Sequence, residues 1–366
     1  MSKFLISCGG TGGHMAPGIA VGEALAKNGH SVTFVISRKA VDSRLSEKYA
    51  GFRFEKVPGC GFSLSPKKLA RFAVEQRGAV RACRRLIESE GADAAIAFGG
   101  FNSFGLAVAA ILSKTPLILH EANRKPGKAV RFFGRFAARV YVPHGVKMRD
   151  GAQGAVRQAG YPIRDEIRRM PRDESLRHFG FGPGANPVLV CGGSQGAAAL
   201  NEWAFENFSA LAAMGLDVLC ITGPGKSAAA PAPVADKNGV LREFRQVEFC
   251  DRMELAMSSA EMVVARAGAG SIAEFARCST IPLLVPLPTS ADDHQTENAR
   301  HVEKNGAGIC VRQSEISTLL GEVEELASNP GLRAKMRANL ERLDELNSSS
   351  HMISDIEAIA ASGRTE

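Results

Sequence analysis

The sequence predicts an α/β protein made of two doubly wound domains, and three observations carry that expectation. Short apolar runs alternate with amphipathic stretches through the first half of the chain. A second series of such runs begins near residue 188 and repeats the plan. Both series open alike, with an apolar run, a glycine turn and a helical stretch. Continuous apolar strands separated by helices belong to a parallel sheet covered on both faces. At 366 residues the chain also exceeds one ordinary core, so two domains of about 150–200 residues are expected.

The first series has strand-like runs at Phe4–Ser7, Val32–Ile36, Ala94–Phe98, Leu117–Leu119 and Val140–Val142, rich in Val, Ile, Leu and Phe. Between them lie helical patterns at Ala16–Lys27, Lys68–Ser89 and Ser103–Leu112. Gly160-Tyr161-Pro162-Ile163-Arg164 separates the two series and reads as a hinge, which sets the domains at 1–162 and 163–342. The second series runs through Val188–Val190, Val218–Ile221, Glu243–Phe249, Met262–Ala265, Leu283–Val285 and Ile309–Val311. Ala228–Asp236 is rich in Ala and Pro and reads as a surface loop. Leu332–Asn347 is a charged helical pattern, and a last helix at about 343–360 can pack back on the first domain.

Composition narrows the function classes. An apolar fraction of 45% with 23% charged residues describes a soluble globular chain. No apolar run approaches the roughly 18–20 residues of a membrane span. The short run after Lys3 reads as a first strand and not as a signal peptide. Eight cysteines with no C-x-x-C pair are expected to be reduced, mostly buried thiols of a cytoplasmic protein. The net charge of +7 is unevenly spread, +15 over residues 1–162 and −8 over 163–366. That asymmetry points to an anionic partner for the first half: a nucleic acid, a membrane surface or an anionic substrate.

The glycine turns carry the chemistry. Phe4–Ser7 leads into Cys8-Gly9-Gly10-Thr11-Gly12-Gly13-His14, and Val188–Val190 leads into Cys191-Gly192-Gly193-Ser194-Gln195-Gly196. Such a turn bares backbone N–H groups at the positive end of a helix, which favours anionic oxygens, and glycine lets a ligand approach without a Cβ in the way. A third segment, Arg266-Ala267-Gly268-Ala269-Gly270-Ser271, is followed by Glu274, expected in the first turn of the next helix. There Glu274 can either accept hydrogen bonds from a ribose diol or merely complement the helix dipole.

Other chemistries find less support. A dinucleotide fingerprint starting at Gly10 would need glycine where Met15 stands, and the second strand ends in Arg38-Lys39 without the expected acid. A Walker A loop ending at Gly225-Lys226-Ser227 would need glycine where Cys220 stands. No Asp-x-Asp and no H-E-x-x-H occurs, and Asp292-Asp293-His294 reads as a polar loop, so no metal and no cofactor is expected.

Six segments together now resemble one family. They are Gly9–His14, His120-Glu121-Ala122-Asn123, Gly160–Arg164, Gly192–Gly196, Arg266–Glu274 and Asp293-His294-Gln295-Thr296, in the same order and spacing, over about residues 3–345. The family comprises the bacterial peptidoglycan enzymes that transfer N-acetylglucosamine (GlcNAc) from UDP-GlcNAc to undecaprenyl-diphosphoryl-MurNAc-pentapeptide (lipid I), giving lipid II. The resemblance implies the GT-B fold, two Rossmann-like doubly wound domains facing across a cleft. It also implies metal-independent inversion at the sugar's anomeric carbon.

By the same resemblance Thr11, Gly12 and Gly13 touch the donor sugar and diphosphate region, and Asn123 and Gln295 hold GlcNAc hydroxyls. Arg164 and Ser194 address the UDP phosphates. Ala269, Gly270 and Ser271 hold nucleotide and sugar, Glu274 takes the ribose, and the backbone near Phe249-Cys250 reads the uracil. The transfer needs a base for the acceptor's C4 hydroxyl. His14 is the first choice, because an imidazole has a pKa of about 6.5, and Glu121 the second. Two departures stand out. Gly99-Gly100-Phe101-Asn102-Ser103-Phe104-Gly105 lacks the family's Gly-Pro, and Ala267 replaces a serine.

Residues 64–85 carry Lys67, Lys68, Arg71, Arg77, Arg81, Arg84 and Arg85 against the single acid Glu75, with Leu69, Phe72, Val80 and Leu86 nearby. Residues 124–139 add Arg124, Lys125, Lys128, Arg131, Arg135 and Arg139 among Phe132, Phe133 and Phe136. Cations around apolar residues describe a surface for anionic lipid, with Lys67, Lys68, Arg71, Phe72, Arg131 and Arg135 facing it. No recognised nucleic-acid motif is present. The expected setting is peripheral, on the cytoplasmic face of the plasma (inner) membrane. The partners implied are UDP-GlcNAc, lipid I, the anionic membrane surface and other cell-wall or division proteins. The alternatives are another GT-B enzyme (a diacylglycerol glycosyltransferase or a UDP-GlcNAc 2-epimerase) and a non-enzymatic basic binding module.

Overall fold

The computed structural model describes residues 1–9, 12–38, 46–59, 66–100, 102–148 and 155–363, with backbone alone at 12, 66–70 and 102. The chain forms two compact units, Met1–Asp165 with Leu346–Glu366, and Glu166–Glu345.

The first unit runs β1 (Lys3–Ser7), α1 (Gly12–Lys27), β2 (Ser31–Ile36), β3 (Arg53–Lys56), α2 (Pro66–Glu90), β4 (Ala94–Ala97), α3 (Asn102–Leu112), β5 (Leu117–His120), α4 (Lys128–Phe133), β6 (Arg139–Val142) and β7 (Val156–Gln158). Among the described residues these strands form one parallel sheet in the order β3-β2-β1-β4-β5-β6-β7. The order reverses between β1 and β4, and the carboxyl ends of strands at such a reversal are where open α/β sheets hold their ligands. Side chains along β1 alternate between faces. Phe4 and Ile6 join one buried cluster and Leu5 the other.

The second unit runs α5 (Arg172–His178), β8 (Pro187–Cys191), α6 (Ala198–Ala213), β9 (Asp217–Ile221), β10 (Val234–Ala235), β11 (Leu241–Arg242), β12 (Phe244–Val247), α7 (Met253–Ser259), β13 (Met262–Ala265), α8 (Ala269–Arg277), β14 (Ile281–Leu284), α9 (His294–Lys304), β15 (Ile309–Cys310), α10 (Leu319–Ser328) and α11 (Pro330–Glu345). Its main sheet is parallel in the order β12-β9-β8-β13-β14-β15. Here the reversal lies between β8 and β13. The last helix, α12 (Ser350–Ser362), packs on the first unit, burying Met352, Ile353, Ile356 and Ala360 beside β1 and β2 residues. Asp355 fixes it by accepting from Tyr141 Oη at 2.7 Å and from Arg139 Nη2 at 2.9 Å.

Helix α1 shows how sequence positions a site. Gly18 and Gly22 lie one turn apart on one face, and a Cβ would stand 2.3 Å from Cys8 Cβ at the first and 2.3 Å from the Phe34 ring at the second. The helix therefore seats directly on β1 and β2. His14 is a further turn back on that stripe, so it overhangs the carboxyl end of the sheet.

Three sequence expectations change. Part of Ala228–Asp236 is not loop, because Val234–Ala235 pairs antiparallel with Leu241–Arg242. Strands β3 and β7 were not expected, since as outer strands with largely polar sequences they lack the apolar run. Glu274 is the sixth residue of α8 and falls in its second turn, because the Ala269-Gly270-Ser271 segment is already helical. No helix among the described residues is long and apolar enough to cross a membrane.

Candidate functional site

In the first unit the carboxyl ends of β1 and β4 bring His14 against the turn after β4. Gly99 and Gly100 have φ of +87° and +75°, and a Cβ at Gly100 would stand 3.2 Å from the His14 ring. Glycine at both positions lets the chain turn sharply and the imidazole lie on the backbone. The turn is itself tied down, as the buried Ser103 hydroxyl donates to the Gly99 carbonyl. Of the expected residues here, Gly13 is exposed, His14 half-buried, and Thr11 lies outside the described residues. Where the family pattern has Gly-Pro, Gly105 instead packs α3 on α2, its Cα facing Ala79.

Glu121 is buried and its carboxylate is fully engaged in shaping the loop after β5. Oε1 accepts from Asn123 N at 2.8 Å and Asn123 Nδ2 at 3.0 Å, and Oε2 accepts from Gly127 N at 2.7 Å, at the start of α4. These bonds turn the nitrogen of the Asn123 amide toward Glu121 and its carbonyl oxygen away. His120, just before it, is almost wholly buried between Phe98 and Tyr161, with ring centroids 5.1 and 6.3 Å away. Burial pulls its pKa down to about 4, with a hydrogen bond to the Gly160 backbone working the other way. Arg164 also belongs to this unit. Its Nη1 donates to the Tyr49 hydroxyl at 3.0 Å, a partner that sequence reasoning did not single out.

In the second unit the turn after β8 is built by close approach. Gly192 faces the Ala197 amide, where a Cβ would stand 2.2 Å away. Gly196 has φ of +66°, and its Cβ would meet the Thr222 carbonyl at 2.0 Å, while that of Gly223 would meet the Gln195 carbonyl at 2.6 Å. The turns after β8 and β9 thus interlock. Buried Asn201 helps hold them, its Nδ2 donating to the Thr222 carbonyl at 2.9 Å. Ser194 sits half-exposed on this turn, and α6 follows with no side chain capping its N-terminus. Uncapped first-turn amides are what an anion needs.

The turn after β13 adjoins it. Gly268–Ile272 are half-exposed, again with no side-chain cap, while Glu274 is buried. Placement in the second turn matters, since the helix-dipole effect fades within the first. The Cys191 thiol, at the end of β8, is pushed up to about 12, first by burial and then by Cys220, Cys250 and Glu274. Cys250 and Glu274 are thus neighbours of the β8 turn. Gln295 sits at the start of α9, and its Oε1 accepts from Leu287 N at 2.9 Å, which leaves the amide nitrogen as its donor end. The adjoining Asp292 and Asp293 take left-handed backbone with φ of +51° and +56°.

Sequence reasoning missed the buried scaffold of this turn. Arg266 Nη1 donates to the Val285 carbonyl at 3.0 Å and Nη2 to Gln313 Oε1 at 2.6 Å, and Asn298 Nδ2 donates to the Ala267 carbonyl at 3.1 Å. Burial lowers the Arg266 pKa. An arginine placed directly after an apolar strand was the one signal available for it.

The basic face divides differently from the expectation. Phe72 turns inward, half-buried against Phe104, which in turn meets Phe133. Phe132 and Phe136 are outside, 55% and 53% exposed, with the Arg135 guanidinium 6.0 Å from the Phe132 ring. Arg71, Arg131 and Arg135 are exposed, and the Lys67 and Lys68 side chains lie outside the described residues. The correction follows from helix geometry: Phe72 lies on the α2 face that meets α3.

Residues 4–142 match the model of the glycosyltransferase family 28 N-terminal domain, and residues 187–351 that of its C-terminal domain. A protein of Opitutus terrae named UDP-N-acetylglucosamine--N-acetylmuramyl-(pentapeptide) pyrophosphoryl-undecaprenol N-acetylglucosamine transferase is 45% identical over 98% of this chain and 95% of its own. One of the same name from Halothermothrix orenii is 31% identical over 92% of this chain and 93% of its own. Among solved structures, MurG of Acinetobacter baumannii superposes with a TM-score of 0.68 at 22% identity, covering 98% of this chain and 99% of that one. The glycosyltransferase of kitacinnamycin gives 0.71 at 16% identity, covering 98% of each chain. These two likenesses show the fold, which is GT-B.

Proposed function

The chain belongs to glycosyltransferase family 28, and from that premise we propose that it transfers GlcNAc from UDP-GlcNAc to the C4 hydroxyl of MurNAc in undecaprenyl-diphosphoryl-MurNAc-pentapeptide, giving lipid II and UDP. The observation that carries this reading is the 45% identity, over nearly the whole of both chains, to a relative named for that transfer.

The acceptor oxygen attacks the anomeric carbon from the side opposite UDP. The C1–O bond to the acceptor forms as the C1–O bond to phosphate breaks, the electron pair leaves with UDP, and the configuration inverts. His14 Nδ1 or Nε2 takes the C4 hydroxyl proton. The uncapped end of α6, Ser194 and the interlocked Gly192–Gly196 turn stabilise the departing diphosphate, with no metal required. Arg164 counters the same charge. Glu274 receives the ribose diol and the backbone at Cys250 the uracil, while the start of α8 at Ala269, Gly270 and Ser271 lies along nucleotide and sugar. The amide nitrogen of Gln295 donates to a GlcNAc hydroxyl, and Asn123 accepts from another. Glu121 is better suited to positioning Asn123 than to proton transfer, since three hydrogen bonds occupy its carboxylate.

The exposed Phe132 and Phe136 among Arg131 and Arg135 suit a peripheral seat on the cytoplasmic, anionic leaflet, where the lipid-linked acceptor lies. UDP release measured with and without lipid I, each with and without EDTA, tests the reading. Release that depends on lipid I and is indifferent to EDTA supports it. Equal release without the lipid acceptor, or abolition by EDTA, overturns it.

A further inference from the structure

Lys226 has no place in that reading, and its surroundings give it one. It follows Gly223-Pro224-Gly225, a turn at the carboxyl end of β9 closed by Lys226 N donating to the Gly223 carbonyl at 3.2 Å. Its side chain reaches back 30 residues in sequence. Nζ donates to the Gln195 carbonyl at 2.7 Å and to the Gly196 carbonyl at 3.3 Å. Both oxygens belong to the Gly192–Gly196 turn, and the steric interlock of Gly196 with Thr222 and of Gly223 with Gln195 leaves little room for the turn to relax. Ser227 adds a contact on the same side, its hydroxyl 3.1 Å from that of Thr222.

A trans peptide points its carbonyl and its N–H to opposite edges. Pinning the carbonyls of residues 195 and 196 to an ammonium therefore fixes where the amides of 196 and 197 point: that of Gly196 donates to the Gly193 carbonyl at 2.9 Å and closes the turn, and that of Ala197 stands at the N-cap of α6. Lys226 is exposed, so it also puts a positive charge on the outer side of the turn that leads into α6. We propose that Lys226 is a positioning residue for the donor diphosphate: it clamps the outer carbonyls of the turn, so that the closed turn and the α6 N-terminus it leads into meet the phosphates already oriented. The proposal rests on the reading that the Gly192–Gly196 turn holds the diphosphate.

Calorimetric titration of the full chain with uridine, UMP and UDP, repeated on K226M and K226R, tests it. In the unaltered protein UDP should bind much more tightly than uridine; if it does not, the diphosphate reading itself fails. Given that preference, K226M should weaken UDP about tenfold, the scale of one charge-assisted hydrogen bond, and uridine less than about twofold. K226R, which keeps the charge and donors, should recover most of the loss. Equal weakening of uridine and UDP, or unchanged UDP affinity in K226M with the wild-type preference intact, overturns the role of Lys226.

Discussion

The two units open on the same strand–glycine turn–helix pattern, yet the turns are built to different ends. After β8 the turn is locked from outside. Gly196 and Gly223 interlock, Lys226 and Asn201 pin carbonyls, and what remains to meet a ligand is backbone and the Ser194 side chain. After β1 the pattern delivers a side chain. Gly18 and Gly22 seat α1 on the sheet, and the Gly99–Gly100 turn receives the His14 ring. A glycine turn thus states where an anion or a catalytic group can stand; the elements packed around it decide which.

The largest effect expected separates the units by stability. His120, held near 4, resists protonation in the folded first unit, while the unfolded chain takes a proton near 6.5. Its contribution is therefore complete above about pH 6.5, is lost as pH falls, and levels off below about pH 4, a total of roughly 3 kcal/mol. Hydrogen exchange followed residue by residue between pH 7 and 4 should show protection falling in the first unit more than in the second. A uniform decline would contradict the isolation of His120.

Turnover comes next. His14→Ala should lower turnover at saturating substrates by roughly 10²-fold or more while leaving UDP affinity within about threefold. Near-normal turnover would remove the base from the first turn and make the two turns alike. In the second turn, Gly196→Ala forces a Cβ toward the Thr222 carbonyl from a left-handed backbone. A steric cost of about 2 kcal/mol should weaken UDP binding by about thirtyfold, measured by calorimetry on protein whose melt shows it folded. Unchanged affinity would mean that the interlock does not shape the anion site. The smallest effect concerns the surface of the first unit. Arg135→Gln should lower binding to vesicles rich in anionic lipid by about fivefold at low salt, at about 1 kcal/mol for the lost cation. Little change, or equal binding to neutral vesicles, would detach the basic face from lipid.

Much of the fold was legible because interior strands of a parallel sheet are buried on both faces and so read as unbroken apolar runs. Every expected run overlaps a strand, from Phe4–Ser7 within β1 to Ile309–Val311 at β15, although Glu243–Phe249 runs past both ends of β12. The outer strands β3 and β7 were not legible, since Arg53-Phe54-Glu55-Lys56 and Val156-Arg157-Gln158 are largely polar. The residues proposed for the site, His14, Asn123, Ser194, Glu274 and Gln295, could be named from motifs. Their partners could not.

By itself, then, the sequence determined the alternation of strand and helix, the two series, and the glycine turns at the ends of β1, β8 and β13. These follow from local periodicity and backbone freedom, which a short window of residues encodes. Only the tertiary structure decided that Glu121 spends its carboxylate on Asn123 and Gly127, that Phe72 faces inward while Phe132 and Phe136 face out, and that Lys226 clamps the turn 30 residues before it. Each of these depends on which elements pack together. Periodicity says which face of an element is buried, and the packing says against what.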